Sequence, residues 1–263
     1  MHDHRANWLR AHATREEVTQ YGNPVLRIYI DGSWQIARQI AMVTGGKAEY
    51  GANVAAVDGG RWTQRVNIRS LLATDVEEIL GVLETLLTIE NVLDVEPVLA
   101  IDFYKVVQDG VEPMHWPNTE IGELVNMAKY HQDEEARREL ADRLGAAVRS
   151  HALLRGATLV ASVPDSGKAT SIGRGLARGV AERLGVPHLE VIEPGEHLTA
   201  KGAGPGERAS LVFEIPTSLS GQRVLIVDDV LRRGETMSAA GNALRRAGAF
   251  AVSGLVAART VSG

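Results

Sequence analysis

From Ala157 onward the chain alternates short apolar runs with amphipathic helical patterns. This alternation limits the possible folds of the chain more than any other feature of the sequence. The apolar runs predict strands because they are short and rich in branched side chains. Between them, apolar residues at a spacing of three or four predict helices. Strand–helix–strand repetition at this spacing predicts an α/β fold with a parallel sheet flanked by helices. The predicted strands are ATLVASV (157–163), HLEVIEP (188–194), SLVFEI (210–215), VLIV (224–227) and AFAVSGLVAA (249–258).

The first half of the chain has a different pattern, which predicts an α+β unit. Three runs rich in β-branched and aromatic residues predict strands, namely PVLRIYI (24–30), RVNIRSL (65–71) and PVLAIDFYKVV (97–107). Thr74 with Glu77 forms a capping-box pattern, which predicts that a helix begins between the second and third of these runs.

A proline-flanked stretch, DGVEPMHWPN (109–118), is the predicted junction between the two halves. Residues 1–22 are polar and indicate no more than a short helix. We therefore predict three parts: a polar N-terminal segment at 1–22, an α+β domain of unknown role at 23–117 and an α/β domain at 118–263.

The composition excludes several classes of protein. No cysteine occurs among the 263 residues, which excludes disulfide scaffolds, cysteine nucleophiles, zinc ribbons and iron–sulfur clusters. Acidic residues outnumber basic ones, 33 to 28, and the net charge of −5 does not indicate a nucleic-acid partner. No signal peptide or membrane-spanning run is present, so we expect a cytoplasmic protein without a membrane partner. His2, Asp3 and His4 are interpreted as a disordered tail, not as a metal site.

One predicted strand-to-helix junction combines acidic residues with a phosphate-binding pattern. Asp228 and Asp229 directly follow VLIV, and Gly234 then allows a tight turn into a helix near Thr236. Backbone N–H groups at a helix N-terminus bind phosphate, whereas two nearby carboxylates suit neutral hydroxyls or a centre that becomes cationic. A sugar phosphate with a reactive anomeric carbon meets both conditions. We expect both carboxylates to face solvent at the edge of the sheet, where ligands of α/β proteins bind.

A second junction follows the first strand of this half and reads Pro-Asp-Ser-Gly-Lys from Pro164 to Lys168. Gly167 would let the backbone approach an anion, and Lys168 would supply a positive charge. The same residue types also form ordinary surface turns. Further on, residues 195–210 form a polar, glycine-rich stretch, and loops of this length are often lids over a site or disordered segments.

The two junctions resemble the ligand-binding motifs of type I phosphoribosyltransferases, which use phosphoribosyl pyrophosphate (PRPP). Residues 224–237 resemble the PRPP signature, and residues 164–168 resemble the pyrophosphate loop, both most like the amidophosphoribosyltransferase form. Lys129-Tyr130, late in a helical pattern, resembles a feature of the competence-associated ComF group, although this pair is interpreted as structural. The resemblance covers about residues 119–260. Because the chain lacks cysteine, it has neither the zinc ribbon of ComF-type proteins nor a cysteine-dependent glutaminase domain.

The resemblance implies that residues 118–263 form a type I phosphoribosyltransferase-like domain and that the protein is an enzyme. It implies transfer of the phosphoribosyl group from PRPP to a small nitrogen acceptor, with Mg2+ bound to PRPP and pyrophosphate released. By the same resemblance, Asp228 and Asp229 are the catalytic residues, which contact the ribose hydroxyls and the cationic transition state. The other implied contacts are a 5′-phosphate loop (Arg232, Arg233, Gly234, Glu235 and Thr236), a pyrophosphate loop (Asp165, Ser166, Gly167 and Lys168) and a flexible loop whose Lys201 and Arg208 close over the pyrophosphate. No residue is assigned to a resident metal.

Other interpretations stay open. Arg232 and Arg233 stand where many relatives have two hydroxyl residues, so a non-catalytic PRPP-sensing or partner-binding protein is the main alternative. An apolar strand ending in Asp-Asp also occurs in receiver domains and in NTPases, which makes a nucleotide hydrolase a weaker alternative. However, the Gly-Lys pairs at 46–47 and 167–168 precede alanine, not the Ser or Thr of a P-loop. A homodimer is also open.

Overall fold

The computed structural model describes residues 6–51, 54, 56–69, 74–164, 172–191 and 213–261. The described strands are β1 (Ala6–Asn7), β2 (Ala11–Val18), β3 (Pro24–Asp31), β4 (Lys47–Tyr50), β5 (Gln64–Ile68), β6 (Leu87–Ile89), β7 (Val98–Phe103), β8 (Leu159–Ser162), β9 (His188–Glu190), β10 (Arg223–Leu231) and β11 (Ala251–Arg259). The described helices are α1 (Trp34–Thr44), α2 (Thr74–Thr85), α3 (Glu120–Tyr130), α4 (Glu134–Ser150), α5 (Gly173–Leu184) and α6 (Glu235–Arg246). Within these ranges, no helix has both the length and the apolar character needed to cross a membrane.

A seven-stranded sheet forms the larger part of the molecule, with strand order β1-β6-β7-β11-β10-β8-β9. The five strands from β7 to β9 in this order are parallel, and β6 and β1 add to one edge in antiparallel orientation. Side chains of α3, α4 and α5 pack together with one face of the sheet, and those of α6 pack with the other. Since apolar side chains of β10 are buried on both faces, its sequence is continuously apolar. The predicted α/β architecture with a parallel sheet flanked by helices is confirmed.

A separate four-stranded antiparallel sheet, in the order β2-β3-β5-β4, forms the N-terminal unit. Leu26, Ile28 and Ile30 of β3 alternate toward α1 and α2 and form the core of this unit. The expectation of a short helix before residue 22 is wrong, because β2 pairs with the whole of β3. Its alternately exposed residues suit an edge strand that has one solvated face.

The large sheet contains strands from both sides of the predicted junction at 117. β7 ends at Phe103, yet it pairs with β11, whose sequence is about 150 residues further on. Val98, Leu99 and Ala100 of β7 are buried in this sheet. The predicted boundary between 23–117 and 118–263 therefore does not separate the two sheets.

A chain of buried polar side chains links α1 of the N-terminal unit to the large sheet and α4. Gln39 of α1 donates from Nε2 to Thr88 Oγ1 of β6 at 2.9 Å, and its Oε1 lies 2.9 Å from His151 Nε2. Nδ1 of His151 accepts a hydrogen bond from the backbone N–H of Leu153 at 3.3 Å. The neutral imidazole with its proton on Nε2 satisfies both contacts. A second proton would point at the Leu153 N–H, so the fold favours neutral histidine.

Burial lowers the pKa of His151 to about 4, and this shift predicts a pH-dependent stability. In the folded protein the pKa of His151 lies below its ordinary value of 6.5. The contribution of neutral His151 to the free energy of unfolding is therefore fully present above pH 6.5 and is lost as the pH falls toward 4. We expect His151→Gln to remove a slope of about 1.4 kcal/mol per pH unit in that window. Urea unfolding of both proteins between pH 4 and 7 measures the difference, and equal slopes would contradict the assignment.

Candidate functional site

Strand β10 continues through the two acidic residues and does not end before them. Its register with β11 extends from Arg223 opposite Ala251 to Leu231 opposite Arg259. The prediction that the strand ends at Val227 is therefore wrong, because β11 continues alongside it and offers hydrogen-bonding partners. The side chain of Arg259 gives the end of β10 a further hydrogen bond, since its Nη1 donates to the Leu231 carbonyl at 3.0 Å.

Asp229 is buried and forms an ion pair with a residue from a distant helix. Only 7% of Asp229 is exposed, and its Oδ2 lies 2.6 Å from Lys129 Nζ of α3. Its other oxygen, Oδ1, accepts a hydrogen bond from the backbone N–H of Val230 at 2.8 Å. The expectation that Asp229 faces solvent is wrong, since Asp229 is buried and its carboxylate is paired with Lys129 of α3. The interpretation of Lys129 as a residue that only covers the core is therefore incomplete, because Lys129 also forms this ion pair.

Asp228 is partly exposed and lies at the N-terminus of α5. Its Oδ1 accepts from the backbone N–H of Asp229 at 2.8 Å. A methyl group at Gly173, the first residue of α5, would come within 2.6 Å of the same oxygen, so only glycine leaves room for the carboxylate there. Burial and the neighbouring Asp229 carboxylate raise the pKa of Asp228 well above its ordinary value. Of the two acids, Asp228 is the more exposed.

Helix α3 is fixed at its start, and this brings Lys129 near its end to β10. Thr119 caps the helix by accepting from Gly122 N at 3.0 Å, and its hydroxyl donates to the Phe103 carbonyl at 2.6 Å. Gly122 packs directly on the chain after β7, because a Cβ there would lie 1.9 Å from the Tyr104 carbonyl oxygen. Burial alone would lower the pKa of Lys129, but the Asp229 carboxylate outweighs this effect and the pKa is raised. Lys129 is therefore a cation at neutral pH.

The predicted 5′-phosphate loop connects β10 to α6. Gly234 has a φ of 79°, in the left-handed region that favours glycine, and is the residue before the helix. Arg232 and Arg233 are exposed, whereas Glu235 and Thr236 lie partly buried in the first turn of α6. The turn thus presents two guanidinium groups beside the positive end of a helix, an arrangement suited to an anion.

The other predicted site residues lie outside the described residues. They are Asp165, Ser166, Gly167 and Lys168 of the predicted pyrophosphate loop, Lys201 and Arg208 of the predicted flexible loop, and the histidine-containing tail His2, Asp3 and His4. The described residues next to 165–171 lie close to the acids, since Ser162 of β8 pairs with Val227 and Gly173 adjoins Asp228. The described residues on either side of 165–171 therefore lie at this edge of the sheet.

The fold and the site define a parallel α/β protein with two acids and a glycine turn at the carboxyl ends of its central strands. Residues 171–259 match the model of the phosphoribosyl transferase domain family. The resemblance to type I phosphoribosyltransferases is thus confirmed for this stretch of the chain. Its closer likeness to the ComF group stays a prediction.

Several solved structures are similar to part of the chain. Purine phosphoribosyltransferase from Pyrococcus horikoshii Ot3 is 20% identical, with 46% of this chain and 83% of that chain covered and a TM-score of 0.32. Orotate phosphoribosyltransferase from Aeropyrum pernix is 21% identical, with coverages of 59% and 72% and a TM-score of 0.35. Adenine phosphoribosyltransferase from Leishmania tarentolae is 14% identical, with coverages of 57% and 89% and a TM-score of 0.37. No curated protein matches the sequence significantly.

Proposed function

We propose that the protein transfers the phosphoribosyl group of PRPP to a small nitrogen acceptor and releases pyrophosphate. The observation that carries the proposal is the placement of Asp228 between the N-terminus of α5 and the turn into α6, inside a phosphoribosyltransferase domain. In the proposed reaction the C1–O bond to pyrophosphate breaks, and its electron pair leaves on the pyrophosphate oxygen. The lone pair of the acceptor nitrogen forms the C1–N bond, and that nitrogen loses a proton.

The chain's own residues would bind, orient and stabilise charge in this reaction. Backbone N–H groups at the start of α6, with Arg232 and Arg233 nearby, would hold the 5′-phosphate. Asp228 would contact the ribose hydroxyls, and the negative charge at the two neighbouring acids would stabilise the cationic character that develops at C1. Lys168, Lys201 and Arg208 are proposed to contact the pyrophosphate and to shield it from water.

The metal in this proposal is the Mg2+ that PRPP carries. Mg2+ prefers phosphate oxygens, water and a few carboxylates, and the partly exposed Asp228 is compatible with such a chelate at this edge. Within the described ranges, no three His, Asp or Glu side chains are grouped to hold a metal, and we assign the ion no protein ligand. When bound, Mg2+ would neutralise charge on the leaving pyrophosphate.

A non-catalytic PRPP sensor is the second candidate, favoured by one observation. Arg232 and Arg233 are both exposed in the loop, where many relatives carry hydroxyl side chains. Two guanidinium groups could bind the phosphate strongly without supporting turnover, because they are longer than hydroxyls and always charged. This candidate predicts binding of PRPP without release of pyrophosphate.

Turnover distinguishes the two candidates. The full chain is incubated with PRPP and Mg2+ and with a panel of nucleobases, ammonia and small amines, and pyrophosphate release is measured. Release that depends on one acceptor supports the transferase. Binding without release over the whole panel supports the sensor, and ATP hydrolysis without PRPP would support the hydrolase.

Two glycines of α5 provide a matched test of the position of Asp228. Gly173→Ala places a methyl group against Asp228 Oδ1, whereas Gly175→Ala meets no atom within 4 Å. Since alanine favours a helix over glycine, Gly175→Ala should not lower the melting temperature, and PRPP binding is compared at a temperature where both variants are folded. We expect Gly173→Ala alone to weaken PRPP binding, by about 10- to 100-fold, because the carboxylate must move. Equal affinities of the two variants in calorimetry would contradict a ligand contact by Asp228.

A further inference from the structure

We propose that Lys129 is a positioning residue of the phosphoribosyl site, which acts by holding Asp229 and leaves Asp228 as the acid that contacts the sugar. This inference rests on the proposed function and departs from the expectation that both acids contact ribose. It follows from three observations: the burial and existing partners of Asp229, the balance of charge at the pair, and the anchoring of α3.

The first observation is that Asp229 is buried and already has two hydrogen-bonding partners. Both of its carboxylate oxygens already accept hydrogen bonds, one from Lys129 Nζ and one from Val230 N. Its side chain is 10% exposed, and that of Lys129 is 27% exposed. A ribose hydroxyl therefore has less access to Asp229 than to the partly exposed Asp228.

The second observation is the balance of charge around two consecutive carboxyl groups. Without Lys129, ionised Asp228 and Asp229 would repel each other in a partly buried site. The ammonium group of Lys129 lies 2.6 Å from Asp229 and places a positive charge beside the two acids, while burial and the neighbouring Asp229 carboxylate raise the pKa of Asp228. Among the described residues, Lys129 of α3 and Tyr104 after β7 interact electrostatically with these acids. Lys129 therefore offsets the repulsion between the two carboxyl groups.

The third observation is that α3, which carries the ammonium group of Lys129, is fixed in position by its cap and its packing. The helix is capped by Thr119, which also bonds to the end of β7. Val125 and Ala128 of α3 are fully buried in the core that covers β10. The side chain of Lys129 thus approaches Asp229 from a fixed direction, although the two residues lie 100 positions apart. By holding Asp229, the ion pair also holds the backbone N–H that Asp228 accepts from.

The test compares Lys129→Met with Lys129→Arg and with a control, Lys47→Met. Lys47 lies in the N-terminal sheet with its side chain 80% exposed. We measure PRPP affinity by calorimetry and kcat/KM by pyrophosphate release, at a temperature where every variant is folded. Lys129→Met should lower kcat/KM by about 10- to 100-fold, because Asp228 loses its alignment. Lys129→Arg should recover most of that loss, and Lys47→Met should match the wild type.

A double-mutant cycle with Asp229→Asn tests whether Lys129 acts through Asp229. In the Asp229→Asn background, Lys129→Met should change kcat/KM less than about threefold, since the partner is already absent. An undiminished effect in that background, or wild-type kinetics of Lys129→Met, would overturn the proposal. If Lys129→Met alone does not fold, the comparison of Asp229→Asn with the double variant decides, because the double variant leaves no unpaired buried charge. Failure of the wild type to bind PRPP is a separate result, which overturns the proposed function.

Discussion

Asp229→Asn should lower the free energy of unfolding by about 3–5 kcal/mol, whereas Asp228→Asn should raise it. The first change leaves Lys129 without its partner in a mostly buried position. The second removes a carboxyl group whose pKa is raised by burial and by Asp229. A carboxyl group with a raised folded pKa destabilises the fold once the pH exceeds its unfolded pKa. At pH 7 the Asp228→Asn substitution therefore removes this destabilisation.

Urea unfolding of the wild type and both variants at pH 7 measures this contrast. The two substitutions are chemically identical and lie at adjacent positions, so each is the control for the other. Changes of the same sign and similar size would contradict the different environments of the two acids. Both variants should have a lower kcat/KM, Asp228→Asn because Asp228 contacts the sugar in the proposed function and Asp229→Asn because its neighbour loses alignment.

Gly122→Ala should destabilise the protein by about 3 kcal/mol or more. The new methyl group would lie 1.9 Å from the carbonyl oxygen of Tyr104, and a backbone atom cannot move aside as a flexible side chain can. Helix α3 must shift, and Lys129 shifts with it, so PRPP affinity should fall as well. Gly81→Ala in α2, where no atom lies within 4 Å, should leave affinity unchanged and stabilise by up to about 1 kcal/mol. Melting curves with equal shifts for the two variants would contradict the close packing of α3.

Much of the larger sheet could be predicted because its signals are local. The apolar run of β10, the glycine turn and the periodic helix after it are contiguous in sequence, and the predicted tight turn is present, with Gly234 in the left-handed region. The matched domain family agrees with this interpretation. Periodicity and turn chemistry therefore sufficed where neighbours in sequence are also neighbours in space.

The contacts that position the acids could not be predicted because they join distant parts of the chain. Nothing near Asp229 in sequence indicates that Lys129 reaches it, and the length of β10 depends on its pairing with β11. Likewise, β2 is polar and becomes a strand because β3 offers it a free edge. The pairing of β7 with β11 likewise joins two segments that lie far apart in the sequence. Tertiary context outweighs local propensity in each case.

Calorimetric titration of PRPP with Mg2+ into the wild type and Asp228→Asn tests the central claim, that the edge formed by β10 and the start of α6 is a PRPP site. The account predicts one molecule bound per chain by the wild type and at least about tenfold weaker binding by Asp228→Asn, which folds at least as well. Absence of binding by the wild type, or equal affinity of the two proteins, would contradict it.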